Sequence, residues 1–366
     1  MLKALDKWFL PWLRQRLTKA NERVTDVVIT ICDHFEPFHH TDKAGALRRM
    51  SAWHEHLPPL CDRFRDAGGH TPRHTFFYPI EQYDTDVISS LADLCRKTRN
   101  EVEIHLHHHN DTAEGLQRQL DAGKLQLRDH GLLGSTADGS IVFGFIHGNW
   151  ALDDSGPNGQ HCGVRGELGI LKKSGCYSDF TMPAAPNAAQ TRIINSIYYA
   201  KSTQSAKSHD HGIPLGTAES PCELRQATDH LLLVQGPLAL DWQRPKWGFL
   251  PRVENADLID NNAPTLARLQ SWIRARVIVQ GQGAVRFVKL HTHGGPERNH
   301  PVLIGDGMRD FHLALQSWAR ESATRVHYAS AREMVNMIHA LEDETSGNPN
   351  DWRDYIYAAP PVLARG

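Results

Sequence analysis

Four short tracts hold the residues able to do chemistry. Asp33-His34-Phe35-Glu36 packs three ionisable groups into four positions, and His105-Leu106-His107-His108-His109-Asn110-Asp111 carries four histidines in five. His147-Gly148-Asn149-Trp150, followed by Asp153-Asp154, and His291-Thr292-His293-Gly294 complete the set. The chain has 23 His against 12 Phe and 8 Tyr, an excess that is clustered rather than spread. Imidazole and carboxylate together suit zinc and related divalent ions, and imidazole is also the commonest general acid or base. The metal-ligand candidates are Asp33, His105, His107, His109 and Asp111. His105 and His109 are spaced to meet on one ion where a strand turns into a loop or helix, and His107 and Asp111 share that spacing. Catalytic candidates are His34, Glu36, His147, His291 and His293. Asn149, Trp150 and Asp153 are the candidate substrate contacts, Trp150 as a sugar platform or a core aromatic. A capped loop, with Asp33 on backbone amides, would also produce the first tract.

The elements around these tracts alternate. Short apolar runs read as buried strands at Val27 to Cys32, His74 to Pro79, Val102 to Leu106, Ile141 to Ile146, Tyr177 to Met182, Leu231 to Leu240, Val285 to His291 and Arg325 to Tyr328. Helical periodicity covers Ala46 to Arg65, where Pro58 and Pro59 predict a kink or split. It recurs at Val87 to Cys95 behind Asp84 or Asp86, at Thr112 to Leu120, Glu167 to Lys173, Thr265 to Arg276, Phe311 to Arg320 and Ala331 to Leu341. Residues 184–230 are the least regular and read as a long excursion over one end. Strand–helix alternation implies a parallel sheet covered by helices. A (β/α) barrel of seven or eight strands is favoured, because several strands end directly in His or Asp and barrel sites gather at the carboxyl ends of strands. No G-x-G-x-x-G follows the first strand, and neither a P-loop nor a G-x-S-x-G elbow occurs.

The 366 residues divide into an N-terminal amphipathic segment 1–22, one domain 23–345 and a tail 346–366. Leu2, Leu5, Trp8, Phe9 and Trp12, set among Lys3, Lys7, Arg14, Arg16 and Lys19, can lie on a membrane surface or dock on the body; Pro11 and the short apolar face favour docking. Forty Lys plus Arg against 42 Asp plus Glu leave no basic field for nucleic acid. The six cysteines form no C-x-x-C pair and read as reduced thiols, placing the protein in the cytoplasm or at the inner face of its membrane.

Taken in order, these residues resemble the polysaccharide deacetylase superfamily of the carbohydrate esterase family 4 type. Val28-Ile29-Thr30-Ile31-Cys32-Asp33 resembles its first motif, a strand ending in two Asp. Thr75-Phe76-Phe77 is similar to its second strand, Glu103-Ile104-His105 with His109 to its H-x-x-x-H metal pair, and Lys289-Leu290-His291 to its last motif. Ser330-Ala331-Arg332-Glu333-Met334 is similar to the closing helix. The resemblance spans residues 24–342. It implies a distorted barrel, a divalent metal (zinc first, with nickel, cobalt or manganese possible) on Asp33 and two of the 105–109 histidines, and hydrolysis of an acyl amide on a carbohydrate. It also implies that His291 or His293 protonates the leaving amine. Cys32 stands where the family has its catalytic Asp, so the base falls to His34, Glu36 or His147, or the domain binds glycan without turnover. Cleavage of a glycosidic bond or a non-sugar amide is the other reading.

Overall fold

The computed structural model describes residues 4–17, 22–218 and 220–364; Leu2, Lys3 and Lys19 of the amphipathic segment lie outside them. Fourteen strands are found there: β1 (Asp26–His34), β2 (Thr75–Pro79), β3 (Glu101–Leu106), β4 (Gly134–Ser135), β5 (Ile141–His147), β6 (Cys176–Asp179), β7 (Ile197–Lys201), β8 (Ile213–Pro214), β9 (His230–Val234), β10 (Ala239–Lys246), β11 (Leu250–Glu254), β12 (Asp257–Leu258), β13 (Val285–Thr292) and β14 (Arg325–Tyr328). The helices are α1 (Leu5–Leu17), α2 (Lys43–Asp62), α3 (Thr85–Thr98), α4 (Ala113–Asp129), α5 (Glu167–Lys173), α6 (Pro221–Gln226), α7 (Leu266–Arg274), α8 (His300–Leu303), α9 (Asp306–Ser322) and α10 (Ala331–Glu342).

Twelve strands form one mixed but largely parallel sheet, ordered β12-β13-β1-β2-β3-β5-β6-β9-β7-β8, with β14 on β1 and β4 on β5. The apolar residues of β1 divide by parity. Val27, Ile29 and Ile31 join Trp53, Leu57 and Leu91 of the covering helices, whereas Val28 and Cys32 join Phe77, Ile146 and Phe287 on the opposite face. A strand buried on both faces needs such a continuous apolar run. On that second face Lys289 of β13 reaches across to the carbonyls of Phe180 and Met182, just beyond β6, at 2.5 and 2.7 Å.

Several elements differ from expectation. α2 runs unbroken through Pro58 and Pro59. The carbonyls these prolines strand belong to His54 and Glu55, partly or fully exposed near the helix end, where water can satisfy them. The run Leu231 to Leu240 is two strands, interrupted around Pro237. The excursion 184–230 contributes β7, which pairs antiparallel with β9. The hairpin β10–β11 forms a separate two-stranded sheet. α1 docks on the body: Trp8 is fully buried against Ala185, Ile194 and Leu238. Its outer side leaves Leu10, Leu13 and Leu17 exposed, as the neighbouring hairpin does Trp242, Trp247 and Phe249. Residues 346–364 are built into the body, with Trp352, Tyr357, Val362 and Leu363 buried. No helix among the described residues is long and apolar enough to cross a membrane.

Candidate metal centre at the strand ends

Parallel register brings the four tracts to one edge. Cys32 pairs with His291, Pro79 with His105, and Leu106 with His147, so each histidine stands at the carboxyl end of its strand. Side chains alternate along a strand, which decides the face each one enters. His34 shares the face of Val28 and Cys32, His105 that of Glu103, and His291 that of Phe287. Asp33 and His147 share parity with the helix-side residues Ile31 and Phe145.

On the inner face the focus is Glu36, placed by a tight turn in which its N–H bonds the His34 carbonyl. Its Oε1 lies 3.3 Å from His105 Nε2, 3.5 Å from His107 Nε2 and 3.9 Å from His293 Nδ1. The partners of the other ring nitrogens fix what those Nε2 atoms are. His105 Nδ1 is 3.0 Å from the Ile146 carbonyl, and His107 Nδ1 is 2.7 Å from Glu81 Oε1. Both oxygens can only accept when Glu81 is ionised, so each Nδ1 carries the proton, and in a neutral ring each Nε2 is a bare lone pair. Two lone pairs facing one carboxylate repel unless a positive charge, a proton or a cation, lies among them. An Nδ1–H donated to a carbonyl or carboxylate is also how protein metal sites orient a histidine ligand.

His34 completes the group. Its ring lies 4.8 Å from that of His105 and 4.7 Å from that of His293, and its buried Nδ1 has no partner. His34, Glu36 and His105 each offer a ligand atom within 4.8 Å of the others. Burial would push the Glu36 carboxyl up, but the bonds from His105 and His107 outweigh it and hold it well below the usual carboxylate range. Burial, then the neighbouring His293, His105 and His291, drive His34 well below the ordinary imidazole value. Burial and Lys289 do the same to His291, and burial lowers His293 against the pull of Glu36. These three rings are therefore neutral at neutral pH. Beside them opens a 430 Å³ cleft lined by Trp150, Asn187, Asn255, Asp257, His291 and His293. A larger cavity of 1150 Å³ lies between α1 and the strands around Arg244 and Arg286, away from the imidazoles.

No protein-family model matches the chain, and no curated protein sequence matches it.

The expected ligand set is redrawn by these contacts. Asp33 faces the helices, where Oδ1 accepts the Gly294 N–H at 2.6 Å and Oδ2 meets His74 Nε2 at 2.8 Å. It is the amide-capping carboxylate of a loop, and a Cβ on Gly294 would stand 2.1 Å from it. His109 is exposed and accepts the His161 N–H, so the His105/His109 pair does not converge. Asp111 holds the Thr112 N–H and Gln119. Asp153 is buried and used by the Gly166, Glu167 and Ser208 amides rather than by a substrate. Asn149 donates its N–H to His147 Nδ1. Gly148 makes room for the His107 ring, which a Cβ would meet at 2.4 Å. Trp150 does reach the centre, 6.1 Å from the His34 ring and 6.2 Å from that of His293. Sequence reasoning missed Glu81, His74, Cys162 and Glu167. His108 belongs to the histidine tract read from the sequence but lies beyond the end of β3, where alternation no longer decides the face.

Proposed function

We propose that this protein is a metal-dependent hydrolase that removes an acyl group, N-acetyl in the leading case, from a sugar or polysaccharide precursor, on a distorted (β/α) barrel. The observation that carries the reading is the convergence of His105 Nε2 and His107 Nε2 on one Glu36 oxygen, beside His34. Burial lowers the His107 pKa, but Glu36 and Glu81 outweigh it and raise it to about 9, so a positive charge already sits there, and a divalent cation would take the place of that proton. His34, Glu36 and His105 would hold the cation, with His107 on the same carboxylate and Glu81 orienting His107. A bound divalent cation supplies Lewis acidity toward an acyl oxygen and makes water more acidic. His293, neutral and beside Glu36, accepts a proton from the attacking water and returns it to the departing nitrogen. One group serves both steps, so Cys32 need not act as a base, and its side chain sits among Phe77 and Ile146. Trp150 offers a flat apolar face for a pyranose ring. A panel of N-acetylated amino sugars and oligosaccharides, assayed for acetate release with and without chelator, tests the reading. Chelator-sensitive release supports it; glycan binding with no turnover in metal-loaded protein would overturn it. The burial of five of the six thiols, all six unpaired, accords with a reducing compartment.

The same reading places the protein at the surface of a membrane. Leu10 and Leu17 of α1 are 60% and 73% exposed, and Trp247 and Phe249 of the adjoining hairpin 80% and 67%. Arg16, Arg244, Lys246 and Arg252 lie among them, the combination of apolar side chains and cations that suits an anionic lipid surface.

A further inference from the structure

A second group of ligand-type side chains lies on the other face of the sheet. His108, His147, Cys162 and Glu167 are all buried, each with a ligand atom within 4.8 Å of the others. The chain reaches this place from three directions: the loop after β3, the end of β5, and the segment leading into α5. Nothing in the deacetylase reading uses it.

Three observations point to a cation. First, Cys162 Sγ receives two backbone N–H groups, from Asp154 and Val164, each at 3.4 Å. Without an ion the thiol hydrogen can go to the Val164 carbonyl or to Glu167 Oε2, each 3.6 Å away; once a cation displaced that hydrogen, the two amides would remain as donors to the thiolate sulfur. Second, the side chains that would surround that thiolate are themselves ligands. His108 Nε2 is 3.1 Å from Glu167 Oε1, and Glu167 Oε2 is positioned by the Asp153 N–H at 2.6 Å. Third, His147 Nε2 is buried without any hydrogen-bond partner, and His108 Nδ1 lies 3.3 Å from Asp111 Oδ2, a contact that orients the ring with Nε2 toward Glu167. The Asn149 N–H on His147 Nδ1 keeps that ring's proton on Nε2. His147 is thus a donor facing the cluster, and the ligands are the other three.

We propose that Cys162, His108 and Glu167 bind a zinc ion, with His147 Nε2–H donating to the oxygen that fills the fourth position. Sulfur, imidazole and carboxylate form a borderline-soft donor set that favours zinc over magnesium or calcium. The ion would tie the 162–167 segment to the residue next to His107, fixing from behind the tract whose other side forms the inner centre.

Cobalt(II) loading of the metal-stripped protein tests this. The inner centre has no sulfur ligand, so a near-ultraviolet thiolate-to-cobalt charge-transfer band reports the outer site alone. The band should saturate at one equivalent, vanish in Cys162→Ser, and persist in Cys32→Ser and in His105→Ala. Persistence in His105→Ala keeps the two sites separate: the deacetylase reading can fail while this one stands. Glu167→Gln, which can still accept the Asp153 N–H, should keep the band but need at least tenfold more cobalt. A wild-type protein without the band, or a Cys162→Ser protein that retains it, would overturn the assignment.

Discussion

Asp33→Ala separates a loop-capping carboxylate from a metal ligand. In the structure Asp33 satisfies two buried donors, the Gly294 amide at 2.6 Å and His74 Nε2 at 2.8 Å. Alanine removes the acceptor of both at a place where Asp33 and Trp53 are fully buried and His74 nearly so. Each orphaned donor costs about 1–3 kcal/mol, so the loss is about 2–6 kcal/mol. That is a large share of the 5–15 kcal/mol typical of a folded domain, on the order of 3–8 °C in melting temperature for a chain of this size. Asp33→Asn can still accept from Gly294, and by donating to His74 once that ring shifts its proton it should lose only about 1 kcal/mol. Guanidinium denaturation of the three proteins gives the stabilities, and elemental analysis of the folded fractions gives the metal. Both variants should fall in stability in that order and keep the wild-type metal content. An Asp33→Ala protein with wild-type stability and no metal at the inner centre would refute the assignment.

Further outcomes follow from the same geometry. Glu36→Gln removes the charge on which His105 and His107 converge, and should abolish inner-centre metal binding and lower acetate release at least a hundredfold; retained stoichiometric metal, read by elemental analysis, would contradict this. Cys32→Ser should keep activity within about threefold, because the thiol faces apolar side chains; the kcat on an N-acetyl amino sugar checks it. Asp26 is held well below the ordinary carboxylate value: burial pushes it up, but bonds from His327 and Arg325 outweigh that. A depressed folded-state pKa gives stability that is complete above the unfolded value, near 4, and lost as pH falls through the folded one. Asp26→Asn should therefore be less stable than wild type at pH 7, with the gap closing in acid, as denaturation midpoints across pH would show. Leu13→Glu and Trp247→Ala should each cut sedimentation with anionic phospholipid vesicles at least fivefold, with little binding of wild type to neutral vesicles; equal binding to both vesicle types would remove the electrostatic part of the membrane reading.

The strands β1, β2, β3, β5, β6, β9, β13 and β14 were readable because each is an apolar run that is mostly buried, and the carboxyl-end clustering of histidine followed from where those runs stop; the exposed β8, β10 and β11 carry no such run of their own. Parity along β1 separates His34 from Asp33 in the sequence alone; that His105 joins His34 follows from the register of β1, β2 and β3, which only the structure gives. The resemblance to a strand ending in adjacent aspartates drew Asp33 toward the metal, against that parity. Glu81, Cys162 and Glu167 were not legible as site residues: Glu81 and Cys162 arrive from segments between strands and helices, Glu167 from the first turn of α5, and what brings them to the histidines is tertiary, such as the Cys162 carbonyl bond to the Asp111 amide. Strand–helix alternation, by contrast, made the largely parallel, helix-covered sheet legible.

The stretch after α10 has a practical bearing on anyone shortening this chain. Arg332 of α10 grips Glu101 at the start of β3 with two bonds of 3.0 and 2.8 Å, and its third nitrogen holds the carbonyls of Arg353 and Tyr357. Asn336 clasps the same two carbonyls, and Ala358 bridges to Ser135. A stop codon placed at 346 would strip away these acceptors and bare the sheet's amino-terminal rim, far from the histidines. Any loss of turnover in such an expression clone would report a collapsed foundation, not a missing catalytic part.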